Sequence, residues 1–143
     1  MTAEMDYTLP KAERLCSQKL IDDVYQKGHR LLQFPYSVRW MVRPLPEGEP
    51  PVQMLVVTSK RKFKHAVDRN KVKRLMRECY RLQKPVLHQY FGERGLQLIL
   101  AESYIHTEIL SFHSLYHKHE KLVDALLKAA EKELSSAPAE EQQ

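Results

Sequence analysis

One stretch constrains this chain more than any other. Between Lys60 and Arg81, ten Lys and Arg stand against two acids, Asp68 and Glu78, a local charge of +8. The whole chain of 143 residues carries +5, so the other 121 sum to −3 and the positive charge is one concentrated feature. At the helical period, Val72, Leu75, Met76, Cys79 and Leu82 fall on one stripe. Asn70, Lys73, Arg74, Arg77, Arg81 and Lys84 fall on the opposite one. Any fold of this chain must bury the first stripe and leave the second to meet charge. Asp68 is the expected N-cap, and Pro85 lacks a backbone donor and disfavours helix at Lys84. The spacing therefore predicts a helix from about Arg69 to about Lys84.

Cations in that first turn, Arg69 and Lys71, oppose the helix dipole. Lys73, Arg77 and Arg81 repel one another at i,i+4 spacing. A sequence carrying these costs gains elsewhere, and a clustered basic patch is the electrostatic footprint of a polyanion. The competing reading is a solvated face. The mixed-sign i,i+4 pairs that mark such a face are nearly absent here.

The length fits one domain, expected over residues 10–134 with flexible tails at 1–9 and 135–143. Two cysteines, Cys16 and Cys79, make no disulfide framework, and Cys79 on the apolar stripe reads as a small buried hydrophobe. No run approaches a membrane span and the N-terminus carries acids where a secretory signal would be basic and apolar, so a soluble, cytoplasmic protein is expected. There is no glycine-rich phosphate loop, no paired-carboxylate motif and no nucleophile constellation at motif spacing. His113 and His117 form an i,i+4 pair near His106 and His119. Without Cys or carboxylate at ligand spacing, the expectation is a polar helix face and no metal site on the protein.

Along the chain, Ser17 caps a short helix that runs through Lys27 and closes at Gly28, with Leu20, Ile21, Val24 and Tyr25 as its apolar stripe. Tyr36 to Val42 alternates as the first clear strand. The loop from Arg43 to Pro51 is expected to be exposed and dispensable. Val52 to Thr58 reads as a central strand, and Lys60, Arg61, Lys62 and Lys64 cross the connection into the basic helix. Leu87 to Arg94 reads as irregular or short-helical, and Leu96 to Ala101 as another strand. Strand, basic helix and strand form a βαβ unit. The last helix, from roughly Ser111 to Leu134, presents Leu115, Leu122, Val123, Leu126, Leu127, Ala130 and Leu134. The stretch Glu102 to Phe112 finds no place in this pattern.

The run Ala66-Val67-Asp68-Arg69-Asn70-Lys71-Val72-Lys73-Arg74-Leu75-Met76-Arg77-Glu78 resembles the signature segment of the bacterial ribonuclease P protein subunit. That family reads Arg-Asn-Arg, an aliphatic residue, Lys-Arg and, three residues on, Arg-Glu. Lys71 departs from it, keeping the charge and losing the planar fork of Arg. Arg14-Leu15 followed by Ile21 to Gly28 is similar to the family's first helix. The resemblance implies an α+β fold, a two-layer sandwich ordered αβββαβα with a left-handed βαβ crossover, as in a ribosomal-protein domain.

It also implies the function. The protein would assist, without supplying the chemistry, the hydrolysis that matures the 5′ end of precursor tRNA. The water would be activated through Mg²⁺ held mainly by the catalytic RNA. Lys60, Arg61, Lys62, Lys64, Arg69, Asn70, Lys71, Lys73, Arg74, Arg77 and Arg81 would dock on that RNA, one protein per RNA. Ile21, Tyr25 and Arg39 would line the cleft for the single-stranded 5′ leader, where Tyr25 can stack on a base, Ile21 offers only apolar contact, and Arg39 replaces an aromatic residue. For Ile21 and Tyr25, simple core packing is the alternative. A ribosomal or RNA-chaperone protein is the second functional class, and a self-sufficient nuclease the third.

Overall fold

In the computed structural model, which describes residues 9–135, three helices enclose a four-stranded sheet. The order is α1 (Gln18–Lys27), β1 (His29–Gln33), β2 (Tyr36–Pro44), β3 (Val52–Val57), α2 (Ala66–Glu93), β4 (Leu96–Tyr104) and α3 (Phe112–Ser135), after a 3-10 turn at Lys11–Glu13. The strands lie in the order β1-β2-β4-β3, with β1–β2 and β2–β4 antiparallel and β3–β4 parallel. The αβββαβα expectation holds. The arm and tail expected at the termini lie outside the described residues, apart from Leu9, half-buried against the core, and Ser135, which ends α3.

Strand alternation sorts the side chains into two clusters. Tyr36, Val38 and Trp40 of β2, Val52, Met54 and Val56 of β3, and Leu98, Leu100 and Tyr104 of β4 point to one face. There they meet Val72, Met76, Tyr80, Leu87 and Phe91 of α2 and Leu115, Leu122 and Leu126 of α3. On the opposite face Ile99 and Ala101 pack with Leu15 and Val24, and Leu20, Ile21, Met41 and Leu55 close the cluster. Helix α1 thus covers only part of that second face.

Several expectations are corrected. The αβββαβα order called for the strand β1, but the residue pattern did not place it; its sequence HRLLQ shows no alternation because both Leu31 and Leu32 are apolar, and Leu32 stays exposed at the sheet edge. Helix α2 begins at Ala66, capped by His65 without a side-chain bond, so Asp68 is a first-turn acid and not the N-cap. It continues through Pro85 to Glu93. An interior proline costs about 3 kcal/mol. The extra turns bury Leu87 and Phe91 completely, at about 1.5–3 kcal/mol each, which offsets that cost.

Gly28 ends α1 as expected, yet with φ −74°, not in the left-handed region. A Cβ there would stand 2.3 Å from the Val24 carbonyl oxygen and 2.9 Å from that of Trp40, so close backbone approach requires the glycine. The loop after β2, expected to be exposed and dispensable, is pinned to the sheet. Gln97 Nε2 donates to the Pro50 carbonyl at 2.9 Å and to Glu49 at 3.1 Å, and the Leu45 amide donates to the Gly95 carbonyl at 2.9 Å. The stretch left without a place divides in two: Glu102 to Tyr104 extend β4, and Tyr104 Oη holds the following loop, donating to the Glu108 carbonyl (2.7 Å) and accepting from the Leu110 amide (3.2 Å).

Candidate nucleic-acid interface

The cationic surface is built on α2 and the connection before it. Phe63, 6% exposed, anchors that connection against Tyr104 at 6.0 Å between rings. Lys60, Arg61 and Lys64 are left exposed around it, with Lys62 half-buried. On the helix, Asn70, Lys71, Arg74 and Arg77 are exposed, while Arg69, Lys73 and Arg81 are half-buried. Most of the predicted face therefore meets solvent together.

Two of its cations also serve the fold. Arg69 Nη1 donates to the carbonyls of Phe63 and Lys64, both at 2.9 Å, and so shapes the segment that carries Lys60 to Lys64. Arg81 grips Glu78 with two donors, Nε at 3.1 Å and Nη2 closer. The hydrogen bonds from Arg81 hold the Glu78 carboxyl below its ordinary range.

Lys84, expected on the charged face, is the main correction. It is 1% exposed, and its Nζ lies 2.6 Å from Glu13 Oε1, itself in a buried residue. His88 Nε2 approaches the same oxygen at 3.5 Å and the Tyr80 hydroxyl at 3.1 Å. The signal existed in the sequence: Tyr80, Lys84, Leu87 and Phe91 recur at helical spacing once the helix is carried past Pro85.

His119 is likewise not on a polar face. It is fully buried, with Nδ1 2.6 Å from Gln83 Oε1 and Nε2 2.8 Å from Glu102 Oε2. Gln83 Nε2 donates to the Tyr116 carbonyl at 3.0 Å, which fixes the amide and makes Oε1 an acceptor, so His119 Nδ1 carries a proton. His113 and His117 do stand together on the surface of α3, their rings 4.5 Å apart, with His117 Nδ1 3.1 Å from Glu120. Among the described residues no three His, Cys, Asp or Glu side chains converge as a metal site, and no helix is long and apolar enough to cross a membrane. Cys79 is buried, as expected, and its thiol is pushed up to about 12 by that burial.

The three residues expected in a cleft share the face that α1 partly covers. Arg39 Nη2 donates to the Gly28 carbonyl at 3.1 Å, and its guanidinium lies over the Tyr25 ring, 5.9 Å from the centroid. Tyr25 remains 37% exposed, whereas Ile21 is drawn half-way into the Leu15–Val24 cluster. Beyond Arg39 the same face continues over Leu32 and Ser37, paired across β1 and β2, and Leu32 is 67% exposed.

A concentrated cationic helix face beside a partly covered sheet, on an α+β scaffold, is the kind of surface that attracts a polyanion. The Ribonuclease P family model matches residues 9–127. The ribonuclease P protein component of Porphyromonas gingivalis is 31% identical over 121 residues, covering 85% of this chain and 88% of that one. That of Chlorobaculum tepidum is 37% identical over 104 residues, 67% of this chain and 66% of its own. The chain belongs to the ribonuclease P protein family. Its fold is shared with the Staphylococcus aureus RNase P protein (TM-score 0.60, 19% identity, 81% of this chain and 96% of that one). The Thermotoga maritima protein is similar (TM-score 0.55, 22% identity, 77% and 94%).

Proposed function

We propose that this chain is the protein subunit of a ribonuclease P ribonucleoprotein, acting in the cytoplasm with one catalytic RNA per protein to promote 5′-end maturation of precursor tRNA. The observation that carries the reading is the exposed cationic face of α2 and its connection, in a chain of this family. Lys60, Arg61, Lys62, Lys64, Asn70, Lys71, Lys73, Arg74 and Arg77 contact phosphates of the catalytic RNA. Arg69 takes part beside them, and Arg81 adds its positive charge to the same face. The single-stranded leader lies over Tyr25 and Arg39, with Ile21 contributing an apolar edge. The scissile phosphodiester is hydrolysed by water activated through Mg²⁺ held mainly by the RNA, and the protein's part is electrostatic and positional.

Precursor-tRNA cleavage at low Mg²⁺ by the cognate RNA, with and without the protein and with a protein-only control, tests the proposal. Stimulation that requires the RNA is expected. RNA binding without stimulation would assign the chain to the ribosomal or chaperone type, and cleavage by protein alone would make it a nuclease. If about five cations contact phosphate, log affinity falls with log salt at a slope of roughly −3.5 to −4.5.

A further inference from the structure

At the β1–β2 turn, beyond the sheet face described above, stands an aromatic pair that the leader reading does not use. Phe34 stands in that turn, 50% exposed, and its ring centroid lies 5.0 Å from the imidazole of His106, just past the end of β4. The two rings are tilted at 55° to each other, and a large aromatic side chain left half in water contributes little to the core while keeping ring surface available to a ligand. His106 is held in place by the Thr107 amide, which donates to Nδ1 at 2.9 Å. Nδ1 is thus an acceptor, which leaves Nε2 as the ring's donor.

The surroundings fit a nucleic acid strand. Thr107 borders an open surface depression lined also by Arg61, Lys62 and Lys64, with Asp68 and Glu108 as its acids. Stacking surface and phosphate-binding charge therefore adjoin at one end of the sheet. At about 3.3 Å per residue, Phe34 lies roughly 15 Å along the hairpin from Arg39, too far for one base to touch both. Between them the face exposes Leu32, with Arg30 exposed beside Arg39.

We propose that Phe34 and His106 form a second stacking platform for an unpaired base of single-stranded RNA, next to the Arg61 and Lys62 cations that the catalytic RNA engages. The proposal rests on the leader reading and extends it: a strand entering over Tyr25 and Arg39 runs across Leu32 to this pair. Stacking tolerates any base, so the platform sets how long a leader the protein grips, not which sequence it prefers.

The test uses the full chain and short single-stranded oligoribonucleotides, each with 2-aminopurine at one successive position, read by fluorescence and by affinity. Phe34→Leu keeps apolar bulk and removes the ring; Phe34→Trp keeps the ring. We expect Phe34→Leu to weaken binding about fivefold to tenfold and to lose the quench at one position while the quench that depends on Tyr25 survives. Phe34→Trp should bind as tightly as the natural chain. His106→Ala, away from the turn, should cost about threefold at the same position, and it carries the test should Phe34→Leu disturb folding. Equal binding by Phe34→Leu and Phe34→Trp, with no effect of His106→Ala, overturns the platform. If Tyr25→Ala still weakens binding in that case, the leader reading stands without it; if Tyr25→Ala is also inert, both fall.

Discussion

Lys84 Nζ and Glu13 Oε1 meet at 2.6 Å inside the protein, joining two elements 71 residues apart. The pair ties the segment before α1 to the middle of α2. A buried pair of this kind is held against the desolvation of both ions, so removing one partner leaves the other stranded. Lys84→Met should lower stability by about 3–5 kcal/mol, read as a shifted urea midpoint. Glu13→Leu combined with Lys84→Met should recover most of the loss; a double variant as unstable as the single one would contradict the pairing.

Arg74 and Arg77 are exposed and make no ion pair among the described residues. Replacing either with Ala should leave the thermal midpoint unchanged, weaken RNA binding about equally across sequences and reduce the salt slope by about 1. Unfolding of either variant would mean that the helix faces are wrongly assigned.

Tyr25 sits under Arg39 at the mouth of the half-covered face. Tyr25→Ala should weaken binding of leader-bearing precursor tRNA by about 1–3 kcal/mol and spare the leaderless product. An equal effect on both substrates would return Tyr25 to a packing role.

The two thiols should behave oppositely. Cys16 is exposed and Cys79 buried, so a thiol reagent at neutral pH should titrate one group in the native protein and two in denaturant. Burial raises the Cys79 thiol from 9.0 to about 12, and the Tyr36 and Tyr80 hydroxyls are also raised. The unfolded chain loses these protons first, so their stabilisation is complete below pH 9 and drains away as the pH climbs towards 12. Constant stability from pH 8 to 11 would refute the assignment.

Much of this architecture was legible in the chain. The Ser17 cap, the alternation of Tyr36, Val38 and Trp40, and the Leu122–Leu126–Ala130 stripe are local patterns, and local patterns survive folding. What escaped depends on partners far away in sequence. Lys84 reads as a surface cation until Glu13 is beside it, and His119 reads as solvent-facing until Gln83 and Glu102 flank it. Pro85 misled for a related reason: its local penalty is certain, while the burial of Leu87 and Phe91 that outweighs it belongs to the tertiary fold. Of the site, the cationic face was evident from composition and spacing alone, whereas the Tyr25–Arg39 stack required β2 to be laid under α1.

The strand order β1-β2-β4-β3 has a consequence for how the chain is made. The strand between β2 and β3 is the last to leave the ribosome, so a nascent chain holds only the β1–β2 hairpin and an unpaired β3 until Tyr104 emerges. The apolar stripe of α2 has no complete sheet to cover during that interval, while its cations are already present. Long-range pairing of this kind is slow to form. Synthesis of this polypeptide therefore passes through a stage in which charge precedes shape, and a transcript broken before the Leu96 codon would yield a basic fragment without the strand that joins its sheet.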